Sequence, residues 1–545
     1  MQSPLEMFLH WAERQPQANF LRQPTDTGIR TWSYAEARDE AGRMATALGA
    51  LGIQPGDRVA LISKNCAHWI LADLAIMMGG FISVPLYPTI TADTIRQILM
   101  HSGSRAIIVG KLDNFASQAA GIPNEVADIH VEAYGTRGTD SWEQLITKYG
   151  PLAQPVLPAK DDIMTIMYTS GTTGKPKGVV HTVGNFMQVV GQLDHIGVPK
   201  PCHVFSYLPL SHIAERVGIE MSVLYTGGSF SFAHTLQSFG ADLAATQPSL
   251  FFAVPRIWAK FREKVNEKLP EPKLQRLLRI PIVSTIIKKK IRKSLGLSKA
   301  VRIFSGAAPI SVELLQWYQR LGIEVLQAIG MTEDCIYGHF NLPGANKLGT
   351  VGRPLPGLQS RISAEGELQV KCPGLMKEYY KEPELTAEIF TPDGYLRTGD
   401  MGEYDADGFL TITGRVKDQF KTDKGKYIAP APIELALLAN SYLEQVCVVG
   451  MGIPQPIVLA VLSAEYTKGI EKHTIEKSLV TLLAEVNKDL QAYEKLEKVV
   501  ILPDPWTVEN GLMTPTMKVK RNELERLHIG KYSTWYNKPG QVVWL

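Results

Sequence analysis

From Met1 to about Thr413, short apolar runs of strand type alternate with amphipathic stretches of helical period. That alternation limits the chain to layered α/β architectures with largely parallel sheets. Strands are expected at 58–62, 106–109, 250–254, 301–304 and 324–327, with helices at 32–51, 91–100 and 312–321. Around Tyr395 the texture changes to Gly-Asp turns and short strands, YLRTGDMGEYDADGFLTITGR, which predicts a small β-rich unit running into a charged connector, 415–426. Beyond it, strands at 446–449, 457–463 and 498–502 and a long helix at 474–490 predict a separate α+β unit. The expected division is a large N-terminal domain of α/β layers plus the β-rich unit, 1–413, a hinge, 414–419, and a small mobile C-terminal domain, 420–545. A chain of 545 residues has room for several cores.

One run tests a membrane-spanning alternative. Residues 69–87, WILADLAIMMGGFISVPLY, are nearly long enough to cross a bilayer. Asp73 lies inside the run, Gly79 and Gly80 interrupt it, and Pro85 and Pro88 close it. A buried helix, a glycine break and a strand at 81–84 is the simpler account. The N-terminal MQSPLEMFLHWAERQPQA carries Glu6, His10, Glu13 and Arg14 within its apolar pattern, which suits a surface amphipathic helix and not a secretory leader. Five scattered cysteines, with no Cys-x-x-Cys pair, fit a reducing, cytoplasmic setting. The formal net charge of +3 argues against nucleic acid as a partner.

The stretch 280–297, IPIVSTIIKKKIRKSLGL, has two accounts. Its isoleucines pack inward beneath a solvated basic face, or the helix rests peripherally on the anionic inner face of a membrane. The apolar face is short for an interfacial helix, which favours the inward account.

The strongest chemical signal is 168–178, YTSGTTGKPKG, directly after the apolar run 163–167. Glycines admit an anion to the backbone, hydroxyls donate hydrogen bonds and lysines supply charge, so a strand followed by this loop suits phosphate. It is not a Walker loop, because Gly171 and Gly174 are too close and Pro176 follows Lys175.

This loop resembles the signature of the adenylate-forming superfamily of acyl-CoA synthetases, luciferases and peptide-synthetase adenylation domains, the AMP-binding enzymes. The resemblance continues in order through LPLSHIAER (208–216), FSGAAP (304–309), GMTE (330–333), YLRTGD (395–400), GRVKD (414–418) and TPTMKVKR (514–521). The forms PLSHIAER and IAPAPIE are closest to long-chain fatty acyl-CoA synthetases. One departure stands out: the family usually carries an aromatic residue before the glycine of GMTE, to stack on adenine, and here Ile329 occupies that place.

The resemblance implies roles that also make physical sense. Attack of a carboxylate on phosphorus brings two anions together, so catalysis rests on charge neutralisation and positioning. Thr169, Ser170, Gly171, Thr172, Thr173, Gly174 and Lys177 are expected to hold the phosphates of ATP. Gly306, Ala307, Ala308 and Pro309 are expected to lie against adenine, Thr332 to meet the α-phosphate, and Glu333 to hold Mg²⁺. Asp400 offers two acceptor oxygens to the ribose diol, Arg415 meets ribose or phosphate, and Lys417 is the hinge. Lys518 is the expected catalytic lysine; Lys520 is its rival, which strand periodicity does not separate. His212 orients the acid or closes its tunnel. Gly425 either lies beside a channel for the pantetheine of CoA or forms a plain turn.

The implied activity is ATP-dependent conversion of a medium- to long-chain fatty acid to acyl-AMP and pyrophosphate, then transfer to CoA. The alternatives are an acyl-AMP ligase that loads a carrier protein, and a non-catalytic nucleotide-binding homologue. Acyl length and oligomeric state are not written in these motifs.

Overall fold

The computed structural model describes residues 1–170, 176–423, 425–508, 510–514 and 518–545, and for Ser170 and Glu465 the backbone only. The loop residues Gly171, Thr172, Thr173 and Gly174 lie outside the described residues.

Two large sheets dominate. The eight-stranded sheet has a parallel centre, in which Ile163–Ser170, Ile82–Leu86, Arg58–Ile62, Ser104–Val109 and Ala127–His130 are successive neighbours. The nine-stranded sheet is parallel from Leu326–Ile329 through Arg302–Ser305, Leu250–Ala253, His203–Ser206 and Ser229–Phe232 to Asn19–Thr25. Parallel strands covered by helices are buried on both faces, and these read accordingly as runs of Val, Ile, Leu and Phe. The expected strands therefore form, with ends shifted by a residue or two.

The near-spanning run folds as helix Ala67–Met78, a turn at Gly79–Gly80 and strand Ile82–Leu86, deep in the main core. Gly80 has φ +68°, a left-handed conformation that favours glycine at this sharp reversal. The strand runs past the expected end, because Pro85 lies within it, opposite Leu61. Pairing to Ile163–Ser170 on the other side occurs at Ser83–Thr165, so Pro85 falls beyond that ladder and its missing N–H costs nothing there. Among the described residues no helix is long and apolar enough to cross a membrane.

A four-stranded antiparallel sheet, Gln359–Ile362, Glu367–Lys371, Leu396–Tyr404 and Leu410–Arg415, forms the β-rich unit. After a helical turn at Val416–Asp418, a second four-stranded sheet, Leu443–Val449, Ile457–Leu462, Lys498–Ile501 and Val542–Trp544, has a hydrophobic cluster on each face. Helix Lys472–Asp489 covers one of them through Ile475, Leu479 and Leu483. This is the small α+β domain. It touches the large one through Arg256, whose Nη2 lies 2.5 Å from Glu444 Oε1.

The inward account of the basic helix holds for Ile287 and Ile291 only. In Pro281–Ser294, Ile291 is buried, but Ile282 is 78% and Ile286 62% exposed.

Candidate active site

Ligand sites of parallel α/β sheets form beyond the carboxyl ends of the strands. Arg302–Ser305 leads at that end into Gly306–Pro309, Leu326–Ile329 into Gly330–Glu333, and His203–Ser206 into the segment that reaches His212. Strands Ile163–Ser170 and Pro176–Thr182 pair antiparallel, with Thr169 opposite Lys177, and bracket the glycine-threonine loop.

Several of these turns are strained. Ala307 has φ +65°, Cys335 +55° and Ile336 +54°, conformations costing a non-glycine residue about 1–2 kcal/mol each. For β-branched Ile336 this is an outlier, held because Ile336 N donates to Met331 O and Cys335 N to Thr332 O. Gly330 cannot carry a side chain, since a Cβ there would lie 2.6 Å from the Ile336 Cα. A Cβ on Gly306 would lie 3.0 Å from the Ala328 carbonyl oxygen, so this turn packs against the end of the neighbouring strand. Ala308 and Pro309 are exposed, and Ile329 is half-buried at the end of its strand.

Glu333 accepts a hydrogen bond from the Tyr379 hydroxyl at 2.8 Å. Burial pushes its carboxyl up, and the Tyr379 bond, Arg415 and Lys177 pull it back. The Lys177 ammonium lies 5.4 Å from the Tyr379 ring centroid. Tyr379 reaches this place because the short strand Glu378–Tyr379 pairs with Pro176–Thr182, opposite Val180 and Val179. The Thr332 carbonyl is held by His181 Nε2 at 2.6 Å. Burial keeps His181 neutral, with its pKa near 4, so the proton on Nε2 is the donor.

Asp400 and Arg415 face each other across adjacent strands, Nε to Oδ1 3.1 Å, and Arg415 Nη2 also donates to the Thr398 carbonyl at 3.3 Å. Burial raises the Asp400 pKa, opposed by Arg415 and then Lys518. Lys518 keeps contact with solvent, yet the surrounding protein pushes its pKa down, helped by Arg415 and opposed by Asp400 and Asp418. It stands at the base of a tight hairpin, where Thr514 N donates to the Lys518 carbonyl and Lys518 N donates to Thr514 Oγ1. Lys520 instead starts helix Arg521–His528, at its N-cap.

His212 is pushed down to about 4 by burial and by the charge of Lys518. Its Nδ1 accepts the Ala214 N–H at 3.2 Å, capping the helix that follows. A neutral ring accepting at Nδ1 carries its proton on Nε2, which leaves a donor for a carboxylate. The preceding loop is fixed by Asn65, whose Nδ2 donates to the Leu208 carbonyl at 2.6 Å and whose Oδ1 accepts from Leu210 N at 3.2 Å. Glu215 accepts from Ser206 Oγ and Tyr207 N, and burial raises its pKa to about 8. Behind it, Arg216 grips Asp73 through both carboxylate oxygens, 2.7 and 2.8 Å, with both side chains fully buried. A π-helical turn, Arg216–Met221, continues the segment.

Lys518, Asp400, Arg415 and His212 are thus electrostatic neighbours, and Arg415 connects them to Glu333 and Lys177. Lys417 lies in the helical turn Val416–Asp418, between the two domains. Gly425 is apart from this group, in the turn between strands Phe420–Lys421 and Tyr427–Ile428, with φ +72° and open space where a Cβ would point. The motifs did not reveal Tyr379, His181, Asn65 or Asp73. Their contacts are tertiary, and only the charge of Asp73 inside an apolar run was a visible anomaly.

Comparison with known proteins places the chain in a family. The AMP-binding enzyme family matches residues 8–380, and the AMP-binding enzyme C-terminal domain matches 417–538. The long chain acyl-CoA synthetase 7, peroxisomal, of Arabidopsis thaliana is 30% identical over 97% of this chain and 85% of its own length. The long-chain-fatty-acid–CoA ligase FadD15 of Mycobacterium bovis is 29% identical over 92% of each chain. The fold is similar to the adenylation domain of a carboxylic acid reductase from Segniliparus rugosus, solved with AMP and a co-purified carboxylic acid, with TM-score 0.80 and 24% identity over 98% of this chain and 94% of that one. The chain belongs to the AMP-binding enzyme family.

Proposed function

We propose that the protein joins a medium- to long-chain fatty acid to CoA in two half-reactions. In the first, a carboxylate oxygen bonds to the α-phosphorus of ATP, and the bond to pyrophosphate breaks. In the second, the CoA sulfur bonds to the acyl carbon as its proton leaves, and AMP departs with the electron pair of the carbon–oxygen bond.

The observation that carries this reading is the grouping of Lys518 with Asp400, Arg415 and His212, contributed by segments far apart in the chain. An ammonium there can donate to the acid and to the α-phosphate together. Asp400 accepts from the ribose hydroxyls, Thr332 donates to the α-phosphate, and Ser170 and Lys177 flank the loop that takes the leaving pyrophosphate. His212 Nε2–H orients the acid.

Glu333 suits magnesium: its partly enclosed carboxylate is pushed toward protonation by burial, a condition that a cation relieves. Among the described residues no cluster of three metal-ligating side chains exists, so the nucleotide phosphates would complete the coordination. Magnesium, when bound, neutralises charge on the phosphate oxygens.

For the second half-reaction, residues 414–419 act as the hinge, with Lys417 at its centre, and a rotation there exchanges Lys518 for the segment around Gly425. The names of the relatives support both the acid class and the acceptor. The test is pyrophosphate exchange into ATP with acids of increasing length, followed by CoA-dependent release of AMP. Adenylate formation that CoA leaves untouched would point to a carrier-protein acceptor. Silence with every acid would mark a non-catalytic nucleotide binder.

A further inference from the structure

The helix Pro281–Ser294 presents its isoleucines to water where packing would bury them. Ile282 is 78% exposed, Ile286 62%, and Ile280, just before the helix, 51%. Only the opposite side is packed, through Ile291 in the second core and Ile287 against it. Positions 282, 285, 286, 289, 290 and 293 recur at the helical period and are all exposed, so they form one stripe. Along it the residues run Ile, Thr, Ile, Lys, Lys, Lys: apolar over the first turns and cationic over the last.

The charge around this stripe has one sign. Ten basic residues and no acidic one lie between 272 and 312, while the whole chain carries only +3, so the remainder is net acidic. The neighbouring helix Glu271–Leu278 adds exposed Lys273 and Arg276, with Arg279 at its end.

A solvated basic face needs no isoleucines, and holding them in water forfeits burial. A helix lying in a bilayer interface uses both residue types, aliphatic side chains entering the acyl boundary and lysines holding anionic headgroups. We infer that Ile280, Ile282 and Ile286, with Lys289, Lys290 and Lys293, dock the protein on an anionic lipid bilayer. The helix, about 21 Å long from its 14 residues, lies in the plane of that surface. A nucleic acid would be drawn by the lysines, but it has no use for the isoleucines, and the stripe carries no aromatic ring for bases to stack on. The inference is independent of the reaction in the cleft, because it is read as binding.

The experiment is flotation of the full chain with vesicles of phosphatidylcholine alone, or of equimolar phosphatidylcholine and phosphatidylglycerol, over a series of salt concentrations. Binding is expected to the anionic vesicles only, falling as salt shortens the screening length. Lys289→Gln/Lys290→Gln/Lys293→Gln should weaken it about 100-fold, roughly fivefold per lysine. Ile282→Ser/Ile286→Ser should weaken it about 10- to 100-fold, with an unchanged melting midpoint and unchanged pyrophosphate exchange on a water-soluble acid. Absence of binding to anionic vesicles at low salt overturns the inference. So does undiminished binding by the isoleucine variant, which would make the face a general polyanion site for nucleic acid or acidic protein.

Discussion

Asp400 and Arg415 stand directly opposite each other on neighbouring antiparallel strands, Nε 3.1 Å from Oδ1, and the guanidinium opposes the rise that burial imposes on the carboxyl. If Asp400 takes the ribose diol as proposed, the diol meets a carboxylate already oriented by its partner. Hydrogen bonds to a charged group contribute about 1.5–3 kcal/mol, so Asp400→Ala should weaken ATP roughly 10- to 150-fold in calorimetric titration. Arg415→Ala should weaken it as well, and the double variant by less than the product of the two losses, because one interaction is lost twice. Strictly multiplicative losses would show that the pair does not act as a unit on the nucleotide.

Tyr379 tunes Glu333. Its hydroxyl bond is the largest influence holding the Glu333 pKa down against burial. The working form is the carboxylate, so activity falls as pH drops through that pKa. Tyr379→Phe removes the lowering influence; the pKa rises, and the acid limb of the pyrophosphate-exchange profile should move to higher pH while the plateau persists. Glu333→Gln, which abolishes the charge, should lower the plateau by about 10²–10³ at fixed magnesium. An acid limb unmoved by Tyr379→Phe would detach that limb from Glu333.

The two lysines of TMKVK stand in different local settings. The Lys518 charge is felt at Asp400 and His212, whereas Lys520 begins a helix. Lys518→Ala should cost about 10²–10³ in adenylation, near 3–4 kcal/mol, and Lys520→Ala less than a factor of ten. Equal losses in pre-steady-state adenylate formation would reverse the assignment.

The layers and the motif segments were legible because each is a local pattern: a strand period, a turn composition, or a loop whose residue types suffice. What the pattern could not carry was pairing across the chain. Tyr379 meets Glu333 and Lys177 only because a two-residue strand docks on the Pro176–Thr182 edge, and nothing in its neighbours announces that. Pro85 reads locally as a stop, yet a strand tolerates proline where its ladder has already opened. Helical period showed that 281–294 has two faces, but which face neighbouring elements cover is decided elsewhere, and here it is not the one with Ile282 and Ile286. The loop 171–175 lies outside the described residues, so its grip on phosphate rests on residue types and on the strands beside it.

Arg216 ties the His212 segment to the buried helix Ala67–Met78 through Asp73. Its Nη1 also donates to Thr165 Oγ1 at 3.1 Å, so the pair ties this segment to the eight-stranded sheet as well. Glu220, equally buried, lies with Oε2 3.9 Å from Arg216 Nε, so Arg216→Met strands two carboxyl groups and should cost about 3–5 kcal/mol, whereas Asp73→Ala leaves Arg216 with Glu220 and should cost less. The combined change Asp73→Leu/Arg216→Met should cost less than the sum, since the ion pair is then removed as a unit and only Glu220 remains without a cation. Chemical denaturation followed by tryptophan fluorescence measures this through the midpoint of the transition that the variants displace.

Gly425 gives the last discrimination, and its conformation complicates the obvious variant. With φ +72° the position resists most side chains through backbone strain, so Gly425→Leu alone would confuse strain with bulk. Asparagine tolerates the left-handed region, and nothing lies within 4 Å of a Cβ there. Gly425→Asn should therefore fold normally, and Gly425→Leu should cost about 1–2 kcal/mol of local stability while the turn remains on the surface. If the segment comes to lie beside the thiol after rotation at 414–419, both variants should keep pyrophosphate exchange near the parent rate and lose CoA-dependent release of AMP, leucine more than asparagine. Single-turnover transfer from preformed acyl-AMP separates the two half-reactions. Parallel loss of exchange and transfer in both variants would assign Gly425 to the turn alone, and the thiol would then need another route to the acyl carbon.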